Sequence, residues 1–414
     1  MNLESISQSI AIVHPITLSH GRNAEVWDTD GKRYIDFVGG IGVLNLGHCN
    51  PAVVAAIQAQ ATRLTHSAFN AAPHGPYLEL MERLRAFVPV SYPLAGMLTN
   101  SGAEAAENAL KVARGATGKR AIIAFDGGFH GRTLATLNLN GKVAPYKQRV
   151  GELPGPVYHL PYPSADTGVT CEQALQAMDR LFSVELAVED VAAFILEPVQ
   201  GEGGFLALDP AFAQALRRFC DERGILIIID EIQSGFGRTG QRFAFPRLGI
   251  EPDLLLLAKS IAGGLPLGAV VGRQALMAAL PKGGLGGTYS GNPIACAAAL
   301  ASLAQMTDEN IATWGERQEQ AIVSHVERWQ QRFPFIGRLT GVGAMRGIEF
   351  VNADGSPAPA QLAKVMDAAR AKGLLLMPSG KARHIIRLLA PLTIEAEVLE
   401  EGLNIFEQCL AELN

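Results

Sequence analysis

Charge is scarce in this chain. Only 18% of its 414 residues are Asp, Glu, Lys or Arg, and 35 basic against 40 acidic residues leave a net charge of −5. A mildly acidic chain is a poor candidate for binding nucleic acid or anionic lipid, so neither partner is expected. Scarce charge beside 48% hydrophobic residues also excludes a disordered, highly charged tail protein. Cysteine is rare too: Cys49, Cys171, Cys220, Cys296 and Cys409 are odd in number, widely spaced and free of any C-x-x-C pair. Neither a disulfide framework nor a zinc site fits, no metal is expected, and a reducing cytoplasm is the simplest compartment. The opening Met1-Asn2-Leu3-Glu4-Ser5 lacks the positive region of a signal peptide. The densest apolar runs, Ile225–Ile229 and Leu254–Ala258, fall far short of the roughly 20 residues of a spanning helix, so no membrane segment is expected. Internal repeats, low-complexity tracts and long linkers are absent as well.

Glycine, by contrast, is abundant: 44 residues, about one in nine, against a usual share of ~7%. The glycines cluster in short loops between apolar runs, which points to a site built from loops. From about residue 95 to 275, strand-length apolar runs alternate with helical stretches. The runs are Gly96–Leu98, Ala121–Phe125, Ala192–Leu196, Ile225–Ile229, Leu254–Ala258 and Gly268–Val271, and the helices include Glu104–Arg114 and Pro210–Arg223. Continuous apolar strands alternating with helices predict an α/β domain with a mainly parallel sheet covered on both faces. Ligands of such sheets sit in the loops beyond the strands' carboxyl ends. Before this region, Val26-Trp27-Asp28 leads through Asp30-Gly31 to Tyr34–Phe37 as a hairpin, and helices follow from Pro51 and around Tyr77–Phe87. After residue 290, a helix through Ala295–Leu303, charged helical segments around 308–332 and short strands at Gly347–Phe350, Leu374–Leu376 and Ile385–Leu388 predict a smaller α+β domain packed with the N-terminal hairpin. The expected division is 1–47 and 301–414 for the small domain and 48–300 for the large one.

Four loops carry chemistry-bearing residues. Ile225–Ile229 runs into Asp230-Glu231, and Leu254–Ala258 runs into Lys259. A carboxylate and an amine at the ends of buried strands are costly unless paired, and burial depresses a lysine pKa into the range of a usable nucleophile or base. The pair reads equally as a structural ion pair. Asn100-Ser101-Gly102-Ala103-Glu104 opens a helix, where backbone N–H groups could hold a phosphate; an ordinary N-cap accounts for the same residues. Gly127–Thr133 offers Phe129 for stacking, the imidazole of His130, and Arg132 for a carboxylate. Phe129 and His130 could equally be core residues. Glu197 and Glu202 flank a glycine-rich loop, either orienting an amine and pairing an arginine or simply solvated. Taken together, a phosphate cradle, a stacking ring, a strand-end Asp and a strand-end Lys suit pyridoxal phosphate, with the lysine as Schiff-base former and the Asp holding the pyridine nitrogen protonated.

These motifs resemble the class III aminotransferases of pyridoxal-phosphate fold type I. The resemblance runs from Val26-Trp27-Asp28 to Arg387–Thr393 and includes Ser101–Ala105, Phe129–Thr133 and Gln200–Gly203. Ala258–Pro266, Gly283–Pro293 and Gly39–Asn45 are more like the 4-aminobutyrate branch. It implies a large domain with a mainly parallel seven-stranded sheet and a smaller α+β domain made from both termini. It further implies Lys259 as the Schiff-base lysine and proton carrier, Asp230 on the ring nitrogen, Phe129 stacked on the ring with His130 beside it, and Gln233 at the ring hydroxyl. Ser101, Gly102 and Ala103 would hold the phosphate, Thr288 would reach the phosphate of a neighbouring subunit, and Glu197 would lie near the substrate amine. Ile41 and Asn70 would border the substrate, and Arg132 would take the carboxylate remote from an ω-amine. Arg387 would take glutamate's second carboxylate, with Glu202 neutralising that arginine when an ω-amino acid is bound. Asn70 stands where that branch usually has Gln, and Ala103 where a phosphate-binding Ser is usual. The implied reaction is transfer from an ω-amino acid, foremost 4-aminobutyrate, to 2-oxoglutarate, by a cytoplasmic homodimer or dimer of dimers. Donors such as 5-aminovalerate, diamines or ornithine-type amines stand beside it. A same-fold aminomutase or epimerase and a non-catalytic cofactor-binding regulator are the readings from other classes.

Overall fold

The computed structural model describes residues 3–413. Its centre is a seven-stranded sheet in the order Leu94–Thr99, Gly268–Arg273, Leu254–Leu257, Leu226–Asp230, Val191–Leu196, Ala121–Phe125, Val157–Leu160. Gly268–Arg273 runs antiparallel to both neighbours, and the other pairings are parallel. The predicted mainly parallel sheet is therefore present, with one reversed strand inside it. Leu254–Leu257 is buried throughout, as its unbroken apolar run requires, because helices cover both faces of the sheet.

The helices begin and end where capping residues dictate. Gly102–Thr117 starts at Ser101, whose hydroxyl accepts from the Glu104 N–H at 3.2 Å, and stops at Gly118 with φ +69°. Pro210–Arg223 starts at Asp209 with Pro at its first position and stops at Gly224 with φ +60°. The charged stretch after residue 307 forms one helix, Asp308–Arg332.

Both termini build the smaller α+β part. One four-stranded sheet lines up Leu18–Arg22, Glu25–Asp28, Arg33–Asp36 and Leu374–Leu375, so Ile35 pairs with Leu374 across most of the chain. A second contains Ile336–Val342, Met345–Phe350, Ile385–Leu388 and Met377–Ser379. One apolar core gathers residues from Leu46 to Ile311; another joins Ala24, Ile35 and Phe37 to residues between Ile322 and Leu410. We retain the division into 1–47, 48–300 and 301–414 as a proposal. The helix Asp308–Arg332 begins in the first core with Ile311 and ends in the second with Trp329, so the later boundary falls along a helix. Among the described residues, no helix is long and apolar enough to cross a membrane.

Candidate active site

A cavity of about 450 Å³ opens where the parallel strands end. Asp230 is the last residue of Leu226–Asp230 and lies on its wall. One carboxylate oxygen meets His130 Nδ1 at 2.8 Å and the other accepts from the Ile232 N–H at 3.0 Å. Burial works against a charged His130, but the hydrogen bond and charge of Asp230 outweigh it and raise the imidazole pKa. The pair is buried and both carboxylate oxygens are hydrogen-bonded, so Asp230 is fixed in direction at the cavity wall.

Lys259 follows the neighbouring strand at the start of a single turn, Lys259–Ala262. Its φ is +47°, a left-handed conformation that costs a non-glycine residue about 1–2 kcal/mol. The main chain thus takes a strained course at the residue whose side chain lines the cavity. Its ammonium has no hydrogen-bond or ion-pair partner among the described residues. Burial lowers its pKa to about 8, Arg387 adds to that, and Glu202, Asp230 and Glu197 oppose it.

The opposite wall is the N-terminus of Gly102–Thr117, with Asn100 to Ala103 on the cavity. The first N–H groups of a helix have no partner within it. Close packing keeps the cradle open: a Cβ on Gly102 would lie 2.6 Å from Ile232, and one on Gly131 2.8 Å from the Ala103 Cβ. Glu197 binds two loops together, accepting from the Phe129 N–H and the Gly201 N–H, each at 3.0 Å. Its burial drives its pKa upward. Gln233 donates to the Ile41 carbonyl at 3.4 Å, and its buried Oε1 has no partner.

Arg387, fully buried in Ile385–Leu388, donates from one terminal nitrogen to Glu202 at 2.7 Å; its Nε and its other terminal nitrogen have no partner. An arginine fork with one prong used is suited to a second, incoming carboxylate. Glu202 also accepts from Tyr146 Oη at 3.1 Å. Burial alone would raise the Glu202 pKa, but Arg387 holds it below the usual value. Arg132 on the far side is exposed and has no carboxylate, its guanidinium lying 4.9 Å from the Tyr146 ring centre and 6.0 Å from that of Phe129.

Lys259, Asp230, Glu197, Ser101, Gly102, Ala103, Phe129, His130, Gln233, Arg132 and Glu202 therefore share one cavity, and Arg387 joins it through Glu202. Three expected site residues lie outside it within a single chain. Ile41 is 40% exposed and offers only its carbonyl to Gln233. Asn70 lines a different cavity with Gly286, and Thr288 is exposed. Sequence reading passed over Tyr146, which touches both Arg132 and Glu202. It also passed over Asn140, which accepts from the His130 N–H at 2.7 Å and donates to the Gly131 carbonyl at 2.9 Å.

The residues present fit a flat, phosphorylated pyridine. Unpaired helix N–H groups would face the phosphate, Asp230 the ring nitrogen and Phe129 the ring, while the unmet Gln233 amide oxygen would face a ring substituent. The family model described as aminotransferase class-III matches residues 7–410. The chain is 93% identical to the 2-aminoadipate transaminase of Pseudomonas putida over the whole of both sequences. It is 46% identical to the 4-aminobutyrate aminotransferase GabT of Escherichia coli, over 99% of this chain and 96% of that one. An amine transaminase from an uncultivated Pseudomonas species, solved with pyridoxal phosphate bound, superposes with a TM-score of 0.89 at 29% identity, over 99% of this chain and 98% of the other.

Proposed function

The chain belongs to the class III aminotransferases, which use pyridoxal phosphate, and on that premise we propose that it transfers the amino group of 2-aminoadipate to 2-oxoglutarate, giving 2-oxoadipate and glutamate. The observation that carries this reading is the pair of guanidinium groups. Arg387 is buried with two donor nitrogens unmet, and Arg132 has no acidic partner. Both substrates bear one carboxylate beside the amine-bearing or keto carbon and one further along, so each can occupy both arginines. The 2-aminoadipate chain is one methylene longer than glutamate, and the relative at 93% identity supports the longer donor.

A second reading has its own support. The Glu202–Arg387 contact at 2.7 Å neutralises Arg387 when the donor has a single carboxylate. That state suits 4-aminobutyrate, which would give succinate semialdehyde, or a homologous ω-amino acid such as 5-aminovalerate.

Bound pyridoxal phosphate supplies an aldehyde that takes up the amine and a ring that draws electrons from the carbon losing its proton. The chain does the rest. Asp230, oriented by His130, would face the ring nitrogen and favour a proton there. Lys259 Nζ, shifted by burial towards its neutral form, would take the proton from the amine-bearing carbon of the substrate and give it to the carbon that was the cofactor's aldehyde, and with the keto acid the same amine would carry a proton the opposite way. Arg132 and Arg387 set which carbon stands over that amine. We take the active unit to be a homodimer or dimer of dimers: Thr288 and Asn70 lie outside their own chain's cavity, and the apolar Leu134, Val143 and Tyr289 are more than half exposed.

The test is a donor panel at fixed 2-oxoglutarate. The highest kcat/KM is expected with 2-aminoadipate, at least tenfold above 4-aminobutyrate and 5-aminovalerate. A tenfold preference for either ω-amino acid would overturn the first reading in favour of the second.

A further inference from the structure

Glu202 stands on the wall between two cavities. One is the active site. The other, about 680 Å³, is lined by Glu202 together with Lys142, Gln200 and Lys381. Lys142 is half-buried and has no ion-pair partner among the described residues; its ammonium donates to the Gly380 carbonyl at 3.1 Å. The N–H of the same Gly380 donates to the Glu202 carbonyl at 3.0 Å. The ammonium of Lys142 and the main chain of Glu202 are thus fastened to one residue. Burial lowers the Lys142 pKa, and Glu202 is the foremost charge opposing that shift. The Gln200 Oε1 is buried without a partner, so this side of Glu202 is also polar.

A substrate with a carboxylate beside its amine takes Arg387 and leaves Glu202 without its cation. The Glu202 side chain is only 24% exposed, and a buried carboxylate stripped of its partner is costly. Arg132 is engaged by the other substrate carboxylate, and Lys259 by the reaction. Of the two lysines on the second cavity, Lys381 is exposed, whereas Lys142 is half-buried and held to Glu202 through Gly380, so Lys142 is the cation kept in place there, and Tyr146, already bonded to the far oxygen of Glu202, provides a pivot. We propose that Lys142 receives the carboxylate of Glu202 when a substrate carboxylate takes Arg387, which makes Lys142 a specificity-determining residue for two-carboxylate substrates. The proposal rests on the reading of the site as one that binds two carboxylates.

Glutarate and butyrate, two unreactive acids differing by one carboxylate, test it by calorimetric titration of the holoenzyme. In the wild type, glutarate binds more tightly than butyrate. Lys142→Met lowers that preference about tenfold, and Lys142→Arg restores most of it. In a Glu202→Gln background, where no charge needs receiving, Lys142→Met changes the preference less than twofold. An equal effect on both acids, or the same tenfold loss in the Glu202→Gln background, would overturn the assignment of Lys142 while leaving the two-carboxylate site intact. A wild type without preference for glutarate would overturn that site reading itself, and the assignment with it, before any variant is compared.

Discussion

At the scale of single residues, the site depends on charges made uncomfortable by burial and then given selective relief. Lys259 has nothing but its surroundings to set its protonation, and those surroundings bring its pKa to about 8. The reactive form of an amine is the neutral one. At pH 8 about half of Lys259 is neutral, whereas an ordinary lysine near 10.4 is neutral in well under ~1% of molecules. In cofactor-free enzyme, the rate at which an acylating reagent labels Lys259, followed by mass spectrometry of the modified peptide, is expected to rise with pH and reach half its plateau near 8. A midpoint near 10 would show that burial does not tune this amine. Asp230 and Lys259 were legible from the sequence because a charge closing a run of five apolar residues stands out locally. Lys142, Tyr146 and Asn140 were not. They lie in a stretch with neither periodicity nor a motif, and only the approach of Glu202, Arg132 and His130 from elsewhere in the chain gives them meaning.

At the scale of elements, the helix Gly102–Thr117 places an open N-terminus beside the cavity, but Ser101 spends its hydroxyl on capping that helix. Glu104 in the same turn accepts from the Asn100 N–H at 2.8 Å, so its negative charge is held at the same end. An anion held there would therefore rely on main-chain donors. Ala103→Ser would add a hydroxyl donor in the first turn, and one more hydrogen bond to a charged group contributes about 1.5–3 kcal/mol at best. The dissociation constant for pyridoxal phosphate, measured by titrating cofactor-free enzyme, is expected to fall at least fivefold. No change would mean that residue 103 does not face the phosphate. The elements themselves were readable where packing leaves a periodic or continuous signal. Ala121–Phe125 and Pro210–Arg223 lie where the pattern predicted them, since one is buried throughout and the other is bounded by Pro and Gly. The strand Val157–Leu160 was missed: at the sheet edge it is only partly buried, so its residues need not be uniformly apolar. Leu18–Arg22 was missed for the same reason, being almost wholly exposed.

At the scale of the molecule, a single chain leaves parts of the expected site stranded. Thr288 sits in the exposed loop that follows Gly286 and Gly287, and Tyr289 beside it is 66% exposed, an unusual setting for a large aromatic residue unless something covers it. Ile41, whose carbonyl meets Gln233 of the cavity wall, and Leu134, two residues beyond Arg132, are apolar and exposed as well. These features are reconciled if a second copy of the chain lays its 283–291 loop across the mouth of the site and brings Thr288 to the phosphate. Thr288→Ala then removes a hydroxyl donor from a site that its own chain does not form. The loss of one hydrogen bond to a charged group predicts cofactor affinity weakened roughly tenfold, read by the same titration, with thermal stability close to the wild type because the residue is exposed within its own fold. Sedimentation velocity on the same samples is expected to show a dimer or a dimer of dimers. If the variant binds cofactor like the wild type and the protein sediments as one chain, the site is complete within a monomer, and the exposed rim around it needs a different explanation.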